Sequence, residues 1–206
     1  MRISLSILSV LLSMLVAKAQ PPSLEDFTTK LTPLSDIRTI QADFTMHRHI
    51  QALDFKLEFK GILAQERNHA LRWEVMSPLH SISLFTPQQF RQWDEQTGKT
   101  IAIKVNDMPW VAMVFNAQTK WLEGDLNGLK ADFNIVPQDD HTLQLEPKTP
   151  QIQVLFKSIT LTFAQDYSAI KTILFVEPHG DTITVAFSNV RNNQDIEEKQ
   201  WKLPTD

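Results

Sequence analysis

His47 and His49 stand two residues apart, with Asp43 four residues before the first, in a stretch that alternates apolar and polar side chains. On a strand that spacing puts both imidazoles on one face, where they could share a zinc ion. No third ligand is fixed by the spacing, and Arg48 stands between the two. His69, His141 and His179 fall in turn-forming stretches, and the paired acids Asp139-Asp140 and Glu197-Glu198 fall in loops, where solvation is the simpler role. There is no Gly-x-Ser-x-Gly elbow, and without cysteine there is no thiol nucleophile. Five glycines in 206 residues leave little for a phosphate-cradling loop. The chain therefore reads as a non-enzyme, with no catalytic residue, no metal site and no cofactor.

What remains is apolar. Leu57, Phe59, Gly61 and Leu63 alternate with Lys56, Glu58, Lys60 and Ile62; after a polar corner, Leu71, Trp73 and Val75 alternate with Ala70, Arg72 and Glu74. A period of two is what a half-buried strand needs. Glu66-Arg67-Asn68-His69 supplies the turn, Asn tolerating positive φ, and Pro78 closes the second strand. An earlier strand runs over residues 40–50. Further strands are expected at 80–85, 90–93, 99–105, 131–136, 142–145, 159–163, 170–176 and 182–187, with a last edge strand at Gln200-Trp201-Lys202-Leu203. Gly180 supplies the unusual φ of the turn at 178–181.

Two stretches read as helices. Ser23 caps a short one with Asp26 at the capping-box position, and Leu24, Phe27 and Leu31 form its stripe. Residues 108–122 carry Trp110, Met113, Val114, Ala117 and Trp121 at helical spacing, with Val111, Ala112 and Phe115 on the other side. A helix that is apolar nearly all round presses on something greasy from both sides, or covers something greasy that is sometimes absent. Some strands, such as 55–62 and 173–176, are also apolar on both faces. That fits a sheet covered on both sides or a cavity between sheet and helix.

The first nineteen residues have a basic start at Arg2, an apolar run over 3–16 and the small-x-small site Ala17-Lys18-Ala19. They read as a cleaved signal peptide; a spanning anchor would need about 20 apolar residues. The expectation is a soluble exported chain, one domain over 20–206. Without Arg2 and Lys18 the basic count falls from 20 to 18 against 24 acids, a formal charge of −6. That argues against nucleic acid and anionic membrane surfaces as primary partners. With no cysteine, stability must come from a core.

Four places resemble the LolA-like outer-membrane lipoprotein carriers: Gln41-Ala42-Asp43-Phe44; the run Gly61, Leu63, Arg67, Leu71, Arg72, Trp73, Pro78; Glu123-Gly124-Asp125-Leu126 with Leu143-Gln144-Leu145-Glu146-Pro147-Lys148; and Ile159-Thr160-Leu161-Thr162-Phe163 with Gly180-Asp181 and 182–189. The resemblance implies a mainly β fold, an incomplete antiparallel β-barrel of the LolA/LolB kind with a helical lid over an apolar cavity. It implies a periplasmic, monomeric carrier that shields acylated lipoproteins or other lipid cargo between an inner-membrane release complex or exporter and an outer-membrane acceptor. Cavity positions are expected at Phe44, Phe59, Leu71, Trp73, Leu84 and Phe175 on the sheet, and at Trp110, Met113 and Val114 on the helix. Arg67 matches the family's lid-contacting arginine and is expected to latch the lid, although Asn68 follows it where the family usually has proline. The Glu123 passage is closer to a side branch associated with glycolipids, polyene lipids and an inner-membrane exporter. A lipid-sensing regulatory module on the same fold is the alternative.

Overall fold

The alternation around Gly61 becomes the centre of a single sheet in a computed structural model, which describes residues 22–107, 119–121 and 123–206. The expected leader peptide, and Trp110, Met113 and Val114 with it, lie outside the described residues. Eleven strands follow in chain order: β1 (Thr39–Ile50), β2 (Phe55–Glu66), β3 (Ala70–Ser77), β4 (Ser81–Phe85), β5 (Gln89–Asp94), β6 (Lys99–Lys104), β7 (Phe133–Asp139), β8 (Thr142–Pro147), β9 (Ser158–Phe163), β10 (Ile170–Val176) and β11 (Thr182–Asn192). They pair in the order β6-β5-β4-β3-β2-β1-β11-β10-β9-β8-β7, every pair antiparallel. One long open antiparallel sheet with edges at β6 and β7 is an incomplete barrel, the expected fold class. β1 and β11 join its two halves through a register running from Ile40↔Asn192 to His49↔Thr182.

Register sorts the side chains. On the inner face, Phe44 lies opposite both Gly61 and Phe187, Met46 opposite Phe59 and Val185, and Leu63 opposite Trp73. Leu161 lies between Leu143 and Ile173 in the same way on the other half. Helix α1 (Leu24–Lys30) packs here, carrying the expected capping box between Ser23 and Asp26. Phe27 and Leu31 are buried in the same cluster as Phe44, Leu63, Leu71 and Leu161. Burying each such side chain stabilises the fold by about 1.5–3 kcal/mol.

The outer face has a smaller cover, and here the sequence reading is corrected. Residues 200–203 form no edge strand; Glu198–Trp201 is a 3-10 turn, and the segment straps across the sheet. Trp201 and Leu203 bury against Ala64, Ala70, Ile82 and Leu84. Arg72 holds the strap by donating Nη1 to the carbonyls of Gln200 and Lys202, both at 3.0 Å, while Nε and Nη2 go to Glu74 Oε2 at 3.0 and 2.7 Å. Burial pushes the Glu74 carboxyl up, but His80 and Arg72 outweigh it and hold it below its usual value. Farther along, Arg91 pairs with Asp206 and holds that carboxyl down at about 2.

Two one-turn helices also lie where none was expected, α2 (Leu126–Leu129) and α3 (Pro150–Gln153). Asp125 caps α2 by accepting from the Gly128 N–H, and Leu126 and Leu129 bury against the inner face.

Candidate functional site

The inner face is aromatic at its middle. Phe44 stacks on Trp73 with centroids 4.2 Å apart and planes at 28°, and Phe187 meets Trp73 edge-on at 6.3 Å. Gly61 makes the stack possible, since Phe44 lies over the place a side chain would occupy. Of the expected cavity positions, Phe44 and Leu71 are buried at 2% and 1% exposure, while Phe59, Trp73 and Phe175 are part-buried. Phe175 stands on the other half of the sheet, between Phe156 at 5.1 Å and Trp121 at 6.0 Å. Leu84 belongs elsewhere. It packs under Trp201 and Leu203 on the outer face, because β4 turns Phe85 rather than Leu84 inward. Phe187 was not anticipated; its place opposite Phe44 depends on a pairing between residues 143 positions apart.

Arg67 occupies a second feature, at one end of the sheet. Asn68 takes the expected positive φ, 60°, and the Arg67 N–H binds the carbonyl of Arg38 at 2.9 Å. The side chain then reaches the end of the 3-10 turn Thr32–Asp36, donating Nη1 to Ser35 O at 2.6 Å and Nη2 to Leu34 O at 3.3 Å. Carbonyls at such an end carry partial negative charge. Its acid is Glu123, with Nε 3.0 Å from Oε1; Glu66, the acid adjacent in sequence, is not the partner. These two atoms are shut from water and make no well-aligned hydrogen bond among the described residues, so the contact is a charge pair.

Glu123 is positioned by a helix end. Residues 119–121 are helical, and the Asp125 N–H bonds to Lys120 O at 2.9 Å while the Gly124 N–H bonds to Trp121 O at 3.2 Å. That pairing, with Gly124 at φ 66°, is a Schellman stop. It brings Gly124 so close to Leu31 and Leu34 that an added Cβ would sit 3.1 Å from atoms of each. A cleft of about 330 Å³ opens beside the pair, lined by Thr28, Leu31, Ser35, Arg67, Glu123 and Leu126 among others.

Burial raises the Glu123 carboxyl above its ordinary value; Arg67 opposes that rise and Asp125 adds to it. A raised carboxyl means that the folded state binds the proton more tightly than the unfolded chain. This contribution to stability is therefore present at acid pH and is lost as pH rises through the raised value. Glu123→Gln should remove that part of the pH dependence. Melting temperatures taken from pH 4 to 8 should show the wild type losing ground to the variant as pH rises, and parallel curves would contradict the assignment.

The histidines that opened the chemical question both lie on β1, and each takes a carboxylate of its own. His47 Nε2 contacts Glu58 Oε2 at 3.0 Å and His49 Nε2 contacts Asp54 Oδ1 at 3.1 Å. Among the described residues no group of three or more His, Cys, Asp or Glu is placed to hold a metal ion.

Comparison with known proteins adds the following. The model of the family described as "Outer membrane lipoprotein carrier protein LolA" matches residues 35–204. No curated protein matches the chain. Among solved structures, an uncharacterized conserved protein from Thermus thermophilus is similar over 89% of this chain and 96% of its own, at 10% identity and a TM-score of 0.55. A LolA superfamily protein from Nitrosomonas europaea is similar over 86% and 97% of the two chains, at 10% identity and a TM-score of 0.43. A chain of the Pseudomonas aeruginosa MucA/MucB complex is similar over 87% of this chain and 60% of its own, at 12% identity and a TM-score of 0.45.

Proposed function

The chain belongs to the LolA family of outer membrane lipoprotein carrier proteins, and from that premise we propose that it is a periplasmic carrier of acyl chains between the inner and outer membranes. The observation that carries this reading is the state of the inner face. Met46, Trp73, Val75, Phe85, Phe175 and Phe187 pack against the core yet remain only part-buried. Large apolar side chains left short of burial beside a complete core are the lining a carrier needs.

Physical chemistry supplies the mechanism. Each CH₂ kept from water is worth about 0.8 kcal/mol, so an acyl chain crosses an aqueous gap only when shielded. Bound against the part-buried Trp73, Phe175 and Phe187 rings, the chain exchanges water for dispersion contacts. Release needs a second state in which the cover opens, and residues 108–122 are the cover in this proposal. Arg67 holds it shut through Glu123, the residue that follows this stretch. Cargo is an acylated lipoprotein or a related exported lipid, taken from an inner-membrane release complex or exporter and passed to an outer-membrane acceptor.

Met113 stands for the cover in the test, on the strength of the apolar pattern around it. Nile red should bind the wild type with enhanced fluorescence. Met113→Asp should weaken that binding about tenfold or more while circular dichroism stays the same, because a carboxylate facing acyl chain must be desolvated. A variant that unfolds, from a wild type that never bound the dye, would make this stretch ordinary core.

A further inference from the structure

Trp121 is only 4% exposed, and its indole Nε1 is shut from water with no acceptor among the described residues. A buried donor without a partner is costly and rare in folded proteins. The ring sits in an aromatic row: Phe133 lies 6.5 Å away, Phe175 lies 6.0 Å away, and Phe156 lies 5.1 Å beyond Phe175. Phe156 and Phe175 are part-buried although they pack on the core. Phe156 also borders an open cleft of about 360 Å³, shared with Pro147, Gln153, Lys157 and Pro178. The row thus runs from a solvent-facing cleft to a hidden donor.

We propose that the Trp121 N–H is the polar handle of the cargo site, donating to the neutral carbonyl of the ester or amide that joins an acyl chain to its head. This rests on the carrier reading above and narrows it. An indole has one hydrogen and nothing to accept with, so its partner is an acceptor. A free carboxylate fits poorly, since a bare charge among phenylalanines is strongly disfavoured. The neighbouring cation, Lys120, already spends its ammonium on the Gly128 carbonyl at 2.8 Å. Water fits poorly among these rings, because it needs two or more polar partners. An ester or amide carbonyl satisfies the donor, and its hydrocarbon lies along the rings of Phe175 and Phe156.

The test compares two probes of equal chain length, methyl laurate and dodecane, each displacing Nile red from the wild type and from Trp121→Phe. Loss of the N–H should weaken methyl laurate about three- to tenfold and leave dodecane unchanged. In protein labelled with ¹⁵N at its indoles, the resonance absent from the variant should shift on adding methyl laurate and stay in place with dodecane. Equal losses for both probes would mean that the ring merely packs, and an unmoved indole resonance would mean that the carbonyl binds elsewhere; either overturns the proposal. Dye binding that persists in those cases leaves the carrier reading standing. Failure of the dye and both probes to bind at all overturns the two together.

Discussion

Gly61→Ala should be the most damaging of the five glycine-to-alanine changes in this protein. Built at Gly61, a Cβ would lie 1.9 Å from the Glu74 carbonyl oxygen and 2.7 Å from Phe44 Cζ. The first neighbour is backbone and cannot swing away. The second is a ring held face-on by Trp73 at 4.2 Å. Relief requires β2 and β3 to separate beside the register shift already present between Lys60 and Gly61. Overpacking of a rigid site costs about 1–3 kcal/mol and sometimes more; with backbone on one side the upper end is expected. For a chain of this size that lowers the melting temperature by roughly 6–12 °C. Gly98 supplies the control, because it has φ 63° but nothing within 4 Å of an added Cβ. Gly98→Ala should cost only about 1–2 kcal/mol from the left-handed backbone. Should both variants melt together near the wild type, the close approach of Phe44 to β2 is not as described.

Arg67→Leu should leave the fold intact and change how the protein handles lipid. The substitution removes the donors to Ser35 O and Leu34 O and leaves Glu123 without its cation, with the like-charged Asp125 still acting on it. The hydrogen bonds tie Arg67 to the Thr32–Asp36 turn, so only the Glu123 charge pair reaches toward the cover. A part-exposed pair is worth up to about 1 kcal/mol, and its loss shifts a two-state cover by up to roughly fivefold toward open. Transfer of a fluorescent acyl lipid to acceptor vesicles should be correspondingly faster, with dye affinity reduced. Glu123→Gln, which keeps a polar partner, should fall between the two, and the double variant should cost less than the sum of the singles because the two side chains share one interaction. Unchanged transfer and dye affinity in Arg67→Leu would make this a turn arginine with a structural contact and no latch role.

Much of the fold was legible because its signals are local. The Phe55–Glu66 and Ala70–Ser77 alternation, the positive φ at Asn68 and the Ser23 capping box each lie within a few neighbouring residues. The errors share a different cause. Trp201-Lys202-Leu203 alternates like a strand, and nothing nearby tells that Ile82 and Leu84 need a cover. β4 carries apolar residues on both faces, Leu84 outward and Phe85 inward, so a period of two cannot say which face is inner. The four-residue helices α2 and α3 are shorter than the periodicity that would disclose them. Glu123 pairs with Arg67 across 56 positions, a distance at which charge pattern carries no signal. Gly61 was the missed opportunity, since a glycine inside an alternating strand marks a close approach of another group.

The central claim, that the inner face shields acyl chains, is tested most directly by native mass spectrometry of the protein purified from its own host cells. The account predicts a population heavier than the polypeptide by the mass of an acylated molecule. That mass should be released on activation and should be depleted in Met113→Asp. A wild-type protein that is uniformly empty, or that carries a stoichiometric metal ion in place of lipid, would contradict it.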